Sequence, residues 1–148
     1  MNAWPAPPAA GRFERPVRIR FGHCDPAGIV FYPQFFVLFN GLVEDWVTEG
    51  LGIPYAELLG GRRTGLPTVS LQTDFRAVCR MGEELVLGLQ VAQLGTRSFT
   101  LALDVRGGGG EERVRVRQVI VCTSLETHRA LALPADLRAA IERFGVAA

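Results

Sequence analysis

The alternation of apolar and polar residues divides the chain into elements. "VRIRFGH", Val17 to His23, sets Val17, Ile19 and Phe21 against Arg18, Arg20 and Gly22, the period of two expected of a half-buried strand. Pro26 and Gly28 then stop it. From Phe35 to Val47 the apolar residues Phe35, Phe36, Val37, Leu38, Phe39, Leu42, Val43, Trp46 and Val47 run too long for a usual strand. They lie nearly all round a helix, which predicts a helix enclosed by other structure. Glu44, Asp45 and Glu49 give it one wet edge, and Gly50 and Gly52 its stop. "IPYAELLG" predicts a further short helical turn.

After "GGRRTG" the pattern turns to β. "LPTVSLQTDFRAVC", "ELVLGLQVAQLG", "SFTLALDVR" and "ERVRVRQVIVCTSL" are alternating segments separated by turn residues, and four strands in succession predict an antiparallel meander. The "GGGGEE" stretch, 107–112, reads as a hairpin tip and not a phosphate loop, because strands flank it on both sides. "LPADLRAAIERFG" predicts a closing helix with Leu133, Leu137, Ala140, Ile141 and Phe144 on one face. The fold class that follows is α+β: a curved five-stranded antiparallel sheet, one strand before and four after, wrapped around one long central helix. Residues 1–14, rich in proline and alanine, are expected to be a flexible tail, and 15–148 a single domain.

Composition narrows the chemistry. A net charge of +1 over 148 residues argues against nucleic acid as a partner. Every one of the sixteen basic residues is arginine, which excludes a Schiff-base lysine and the pyridoxal chemistry that needs one. Cys24, Cys79 and Cys122 form neither an even set nor a CxxC pair, so a disulfide framework and a structural zinc site are not expected. Nor does the spacing of His23, Asp25, Cys79, Cys122 and His128 match a zinc signature. Free thiols, and the lack of a secretory h-region or a stretch of membrane-spanning length, lead to the expectation of a cytoplasmic protein without a membrane partner.

The chemistry concentrates in "GHCDPAGIVFYP", residues 22–33. With the long apolar helix and "PTVSLQTDF" that follow, it closely resembles the hotdog-fold acyl-CoA thioesterases of the Pseudomonas-type 4-hydroxybenzoyl-CoA thioesterase family. The resemblance spans roughly residues 16–140. It implies a hydrolase of coenzyme A thioesters in which Asp25 attacks the acyl carbon or activates a water, and in which the backbone N–H of Tyr32 polarises the thioester carbonyl. Elementary chemistry agrees. Peptide N–H groups at a helix start lack intrahelical partners and sit at the positive end of the helix dipole, a suitable place for an oxyanion. A thiolate leaves readily, so one carboxylate and one oxyanion donor suffice without a full triad. Coenzyme A is then part of the substrate, and no cofactor or metal is expected.

Each neighbour has a plainer reading too. Asp25 could simply close an Asx turn before the proline. Cys24 reads as packing, since a strand running through this stretch would point it away from residues 23 and 25. His23 would share the face of Asp25, where an imidazole could orient the carboxylate. Gly28, Ile29, Val30 and Phe31 would form an acyl-binding wall at the first turn of the helix. Asn40 stands where the resemblance implies a helix aspartate beside the acyl group, a departure that leaves the acyl group open between aromatic and short aliphatic. Arg97 is what remains of a basic cluster implied to hold nucleotide phosphates, with Arg62, Arg63, Arg76 and Arg80 as other candidates. The resemblance further implies sheets paired edge to edge in a dimer of dimers, with Ser70 and Gln72 of one subunit facing Asp25 of the other. Two alternatives stand beside hydrolysis: an acyl-thioester hydratase or dehydratase using His23 with Asp25, and a non-catalytic acyl-CoA-binding protein.

Overall fold

The computed structural model describes residues 11–147. In chain order the elements are β1 (Arg12–Arg18), a 3-10 turn (Phe21–His23), α1 (Pro33–Asp45) continued by a π turn (Trp46–Gly50), α2 (Tyr55–Gly60), β2 (Thr64–Gly65), β3 (Thr68–Phe75), β4 (Glu84–Leu94), β5 (Ser98–Arg106), β6 (Glu112–Val121), β7 (Thr123–Ser124) and α3 (Ala135–Phe144). The five long strands form one antiparallel sheet in the order β1-β4-β5-β6-β3, while β2 and β7 make a small separate ribbon. The α+β class and the single long helix against a five-stranded sheet agree with the sequence pattern.

Three details differ from it. The first strand lies earlier than expected, at Arg12–Arg18, so the last residues of the expected 1–14 tail are strand; residues 1–10 lie outside the described residues. Pro16 normally argues against a strand, but β1 is an edge strand and edges tolerate proline. Phe21, expected to alternate inward, is 82% exposed on the 3-10 turn. Only β4, β5 and β6 form a meander: β3 crosses to the far edge beside β6.

The helix is also enclosed on one side only. Phe35, Phe39, Leu42 and Val43, with Trp46 and Val47 of the π turn, are buried against Leu87, Leu89, Leu101, Leu103, Val114 and Val116 of the sheet, each worth about 1.5–3 kcal/mol of transfer free energy. Trp46 seats the far end, with ring centroids 5.9 Å from Phe99 and 5.5 Å from Phe144 of α3. Val37, Asn40, Gly41 and Glu44 face out.

A buried ion pair ties the opposite face of the sheet across three strands. Arg12 of β1 donates through both Nη atoms to Asp104 of β5, at 2.8 and 2.7 Å, and through Nε to Glu14 at 2.6 Å. Gly88 lies between them in the row Glu14, Gly88, Asp104. A Cβ there would sit 1.9 Å from Arg12 Nη2, so only glycine lets the guanidinium cross β4. The hydrogen bond that Arg12 donates to Asp104 is the largest reason that its guanidinium is held above its ordinary pKa. Breaking a buried pair strands a charge, so Asp104→Ala is expected to cost about 3–5 kcal/mol in urea unfolding; a loss under about 1 kcal/mol would contradict the importance of the pair.

Candidate active site

The chain reverses sharply between Asp25 and Tyr32. Cys24 bridges Val30, Asp25 N–H donates to Ile29 O at 3.0 Å, Gly28 N–H to Asp25 O at 3.0 Å, and Phe31 N–H to His23 O at 2.9 Å. Gly28 adopts φ +78°, a conformation that glycine enters without strain. The Asp25 carboxylate accepts the Ala27 N–H through Oδ1 at 2.8 Å, an Asx turn. The plain reading of Asp25 is therefore realised. One oxygen fixes the carboxylate, and the other makes no hydrogen bond among the described residues.

Among the described residues the helix start supplies a single free donor. Pro33, at the first helical position, has no N–H. Gln34 N–H donates to Phe31 O at 2.9 Å and Phe35 N–H to Tyr32 O at 3.2 Å, while Phe31 N–H is spent on His23. Tyr32 N–H has no acceptor among the described residues, and it points from the positive end of α1. The Tyr32 ring is exposed and makes edge contacts with Phe31 at 5.5 Å and Phe75 at 6.2 Å.

His23 takes a different position from the expected one. It lies on a 3-10 turn and not on a strand, and its Nδ1 accepts the Arg20 N–H at 2.9 Å, with no hydrogen bond to Asp25. Cys24 is half-buried and packs against the core, its Sγ donating to Arg20 O at 3.4 Å. Cys79 and Cys122 are buried, and burial pushes both thiols up, away from the thiolate form. Among the described residues no three His, Cys, Asp or Glu side chains gather as cation ligands. No helix among them is long and apolar enough to cross a membrane.

The expected acyl wall divides. Val30 is part of the core, Gly28 and Ile29 are half-buried, and Phe31 is exposed. A groove of about 370 Å³ runs beside the outward face of α1, between Phe36, Val37 and Asn40 on the helix and Thr68, Leu71 and Gln118 on the sheet. Tyr32 and Asn40 are eight residues apart (40 − 32 = 8), about 12 Å at the helical rise. Ser70 and Gln72 alternate with Leu71 and so lie on the other face of β3 from the groove.

Gln118 was not singled out from the sequence, although its signal is there. In the series Val114, Val116, Gln118, Ile120 it is the one polar residue at an inward position. It donates to Thr68 Oγ1 at 2.7 Å, and its own buried Oε1 has no partner. Of the arginines considered for phosphate, Arg62, Arg63 and Arg76 are engaged with Asp136, Glu126 and Glu112 at 2.8, 3.1 and 3.4 Å. Arg80 and Arg97 are exposed and make no ion pair among the described residues.

One helix against this five-stranded sheet is the fold of the hotdog thioester hydrolases, and the chain belongs to the Thioesterase-like superfamily, which it matches over residues 19–141. A 1,4-dihydroxy-2-naphthoyl-CoA hydrolase of Prochlorococcus marinus (strain MIT 9313) is 28% identical over 139 residues, covering 86% of this chain and 88% of that protein. A 4-hydroxybenzoyl-CoA thioesterase of Pseudomonas sp. (strain CBS-3) is 26% identical over 126 residues, covering 80% and 89%. The solved structure of a gentisyl-coenzyme A thioesterase superposes with a TM-score of 0.79 at 25% identity, covering 87% of this chain and 99% of that one.

The backbone at residue 32 can be tested apart from its side chain. Tyr32 has φ −51°, within the range of a proline ring, so Tyr32→Pro deletes the N–H with little change of backbone. Tyr32→Phe is expected to keep kcat within about threefold, while Tyr32→Pro lowers it by about 100- to 1000-fold, the usual effect of losing an oxyanion donor. Equal effects from the two variants would contradict the assignment.

Proposed function

We propose that this protein hydrolyses an acyl-coenzyme A thioester with an aromatic or short acyl group, giving the free acid and coenzyme A. The observation that carries the reading is the free Tyr32 N–H at the end of α1, one tight turn from a carboxylate with an unengaged oxygen. The thioester carbonyl accepts the Tyr32 N–H. Asp25 then either attacks the carbonyl carbon, forming an anhydride that water cleaves, or takes the proton of a water that attacks it. In both routes negative charge collects on the carbonyl oxygen, where the helix end stabilises it, and collapse expels the coenzyme A thiolate. Coenzyme A departs as product, so the cycle requires no retained cofactor.

The groove beside α1 suits the acyl group. Its walls are largely apolar and aromatic, with Asn40 and Gln118 as polar groups, and its volume of about 370 Å³ accommodates one or two rings. The three relatives named above act on hydroxylated aromatic acyl groups, which favours the aromatic end of the range. Arg97 and Arg80, the unpaired candidates, are assigned to the phosphates. Two copies are proposed to meet along the free edge of β3, where Val69, Leu71 and Phe75 are exposed, and such dimers to pair again. Ser70 and Gln72 of that edge then border the neighbouring subunit. A cytoplasmic location accords with the free thiols.

The hydratase alternative requires a His23–Asp25 pair, and the engagement of Nδ1 by Arg20 N–H gives it no support. Asp25→Asn is expected to lower kcat for thiol release by at least about 100-fold, with KM changed by only a few-fold and the fold intact. Undiminished turnover in that variant, or no thiol release from any member of an aromatic and short-chain acyl-CoA panel, would overturn the proposal.

A further inference from the structure

The turn that carries Asp25 does not stand alone. Its second half is bonded to another turn, Val78 to Glu83, which links β3 to β4: Val30 N–H donates to Cys79 O at 2.9 Å, Met81 N–H to Gly28 O at 3.0 Å, and Ile29 bridges Arg80. These bonds fall between Asp25 and Tyr32, the two groups that must converge on one carbonyl. Whatever fixes the second turn therefore fixes their separation.

One ion pair does so. The Glu83 carboxylate accepts the Arg80 N–H at 2.7 Å, closing the turn on itself, and receives both Nη atoms of Arg113 at 3.2 and 3.0 Å. Arg113 Nη1 also donates to Val78 O at 2.8 Å, at the other end of the same turn. Arg113 lies in β6 and is largely buried, and its own carbonyl accepts the N–H groups of Arg76 and Ala77. The hairpin tip adds Glu111, at 2.9 Å from Arg113 Nη2. The main-chain groups of Glu83 and Gly82 bond Ile19, just before the catalytic turn, at 2.9 and 2.7 Å. The turn is thus held at both ends, and its anchor in the sheet is the guanidinium of Arg113. The hydrogen bond from Arg113 keeps the Glu83 carboxyl below its ordinary pKa, so the pair stays charged at neutral pH.

We propose that Glu83 and Arg113 are positioning residues for thioester hydrolysis: their ion pair clamps the 78–83 turn and thereby sets the Asp25 carboxylate against the Tyr32 N–H. Neither side chain touches the substrate. This rests on the catalytic assignment of Asp25 and Tyr32, and its test must separate the two.

Glu83→Ala is expected to lower kcat by about 10- to 100-fold, the cost of a small misplacement of reacting groups, and to raise KM by no more than a few-fold, since Arg80 of the same turn is assigned to the phosphates. Glu83→Gln keeps an acceptor for the Arg80 N–H and is expected to recover part of that loss. Glu84 offers a control, because it pairs with Arg18 at 2.7 Å on the surface and touches neither turn. Glu84→Ala should leave kcat as in the parent protein. Amide hydrogen exchange gives a readout that needs no turnover: in Glu83→Ala the Val30 and Met81 N–H groups should exchange at least about 10-fold faster, while Leu103 in β5 does not change. Unchanged exchange at Val30 and Met81 would overturn the clamp whatever the activity. Faster exchange with full kcat would overturn its role in hydrolysis. A fall in kcat matched by faster exchange throughout the sheet would show general destabilisation instead. If Asp25→Asn alone proves fully active, the catalytic reading fails, and exchange still decides whether the clamp exists.

Discussion

The seating of α1 in the concave face of the sheet is the contact on which the rest depends. Phe35, Phe39, Leu42, Val43, Trp46 and Val47 are buried together, and the indole of Trp46 is locked between Phe99 and Phe144. Burial of this size fixes both the rotation of the helix and its position along its axis. Its first turn therefore cannot drift. Because Pro33 contributes no N–H and the next residues bond back to Phe31 and Tyr32, that fixed end presents one N–H without an acceptor among the described residues.

The same seating explains why the helix is only half covered. Val37, Asn40 and Gly41 point away from the sheet, and Val37 and Asn40 line a groove with Thr68 and Leu71 of β3. A fold whose core needs one apolar helical face has a second face available for binding. Residues on that second face, Asn40 foremost, can vary without cost to the core. The turn that carries Asp25 has no such freedom, since its backbone is bonded both to itself and to the 78–83 turn.

Much of this was legible in the residues. The run from Phe35 to Val47 disclosed the helix, the alternating segments disclosed the strands, and Pro26, Gly28 and Pro33 marked a tight entry into a helix. Other features were hidden for physical reasons. Edge position made Pro16 acceptable inside β1, and nothing local distinguishes an edge strand from a central one. The crossing of β3 to the far edge is a choice of partner, and alternation is silent on partners. His23 was expected on the face of Asp25 because a strand was assumed there, whereas a 3-10 turn carries it to Arg20. The Glu83–Arg113 pair joins residues thirty positions apart and leaves no periodic trace. Gln118 is the opposite case, since the inward series Val114, Val116, Gln118, Ile120 exposes it at once to a reader looking for the polar residue out of place.

We propose that the amide of residue 32, and not a side chain, receives the charge that develops on the thioester oxygen. It is tested most directly by recording the backbone amide resonances while adding an unreactive acyl-CoA analogue in which a methylene replaces the sulfur, so that the carbonyl is retained. The account predicts a large downfield shift of the Tyr32 amide proton and little change at Phe31, whose N–H is already bonded to His23 O. Saturable binding of the analogue with the Tyr32 amide unmoved would contradict it.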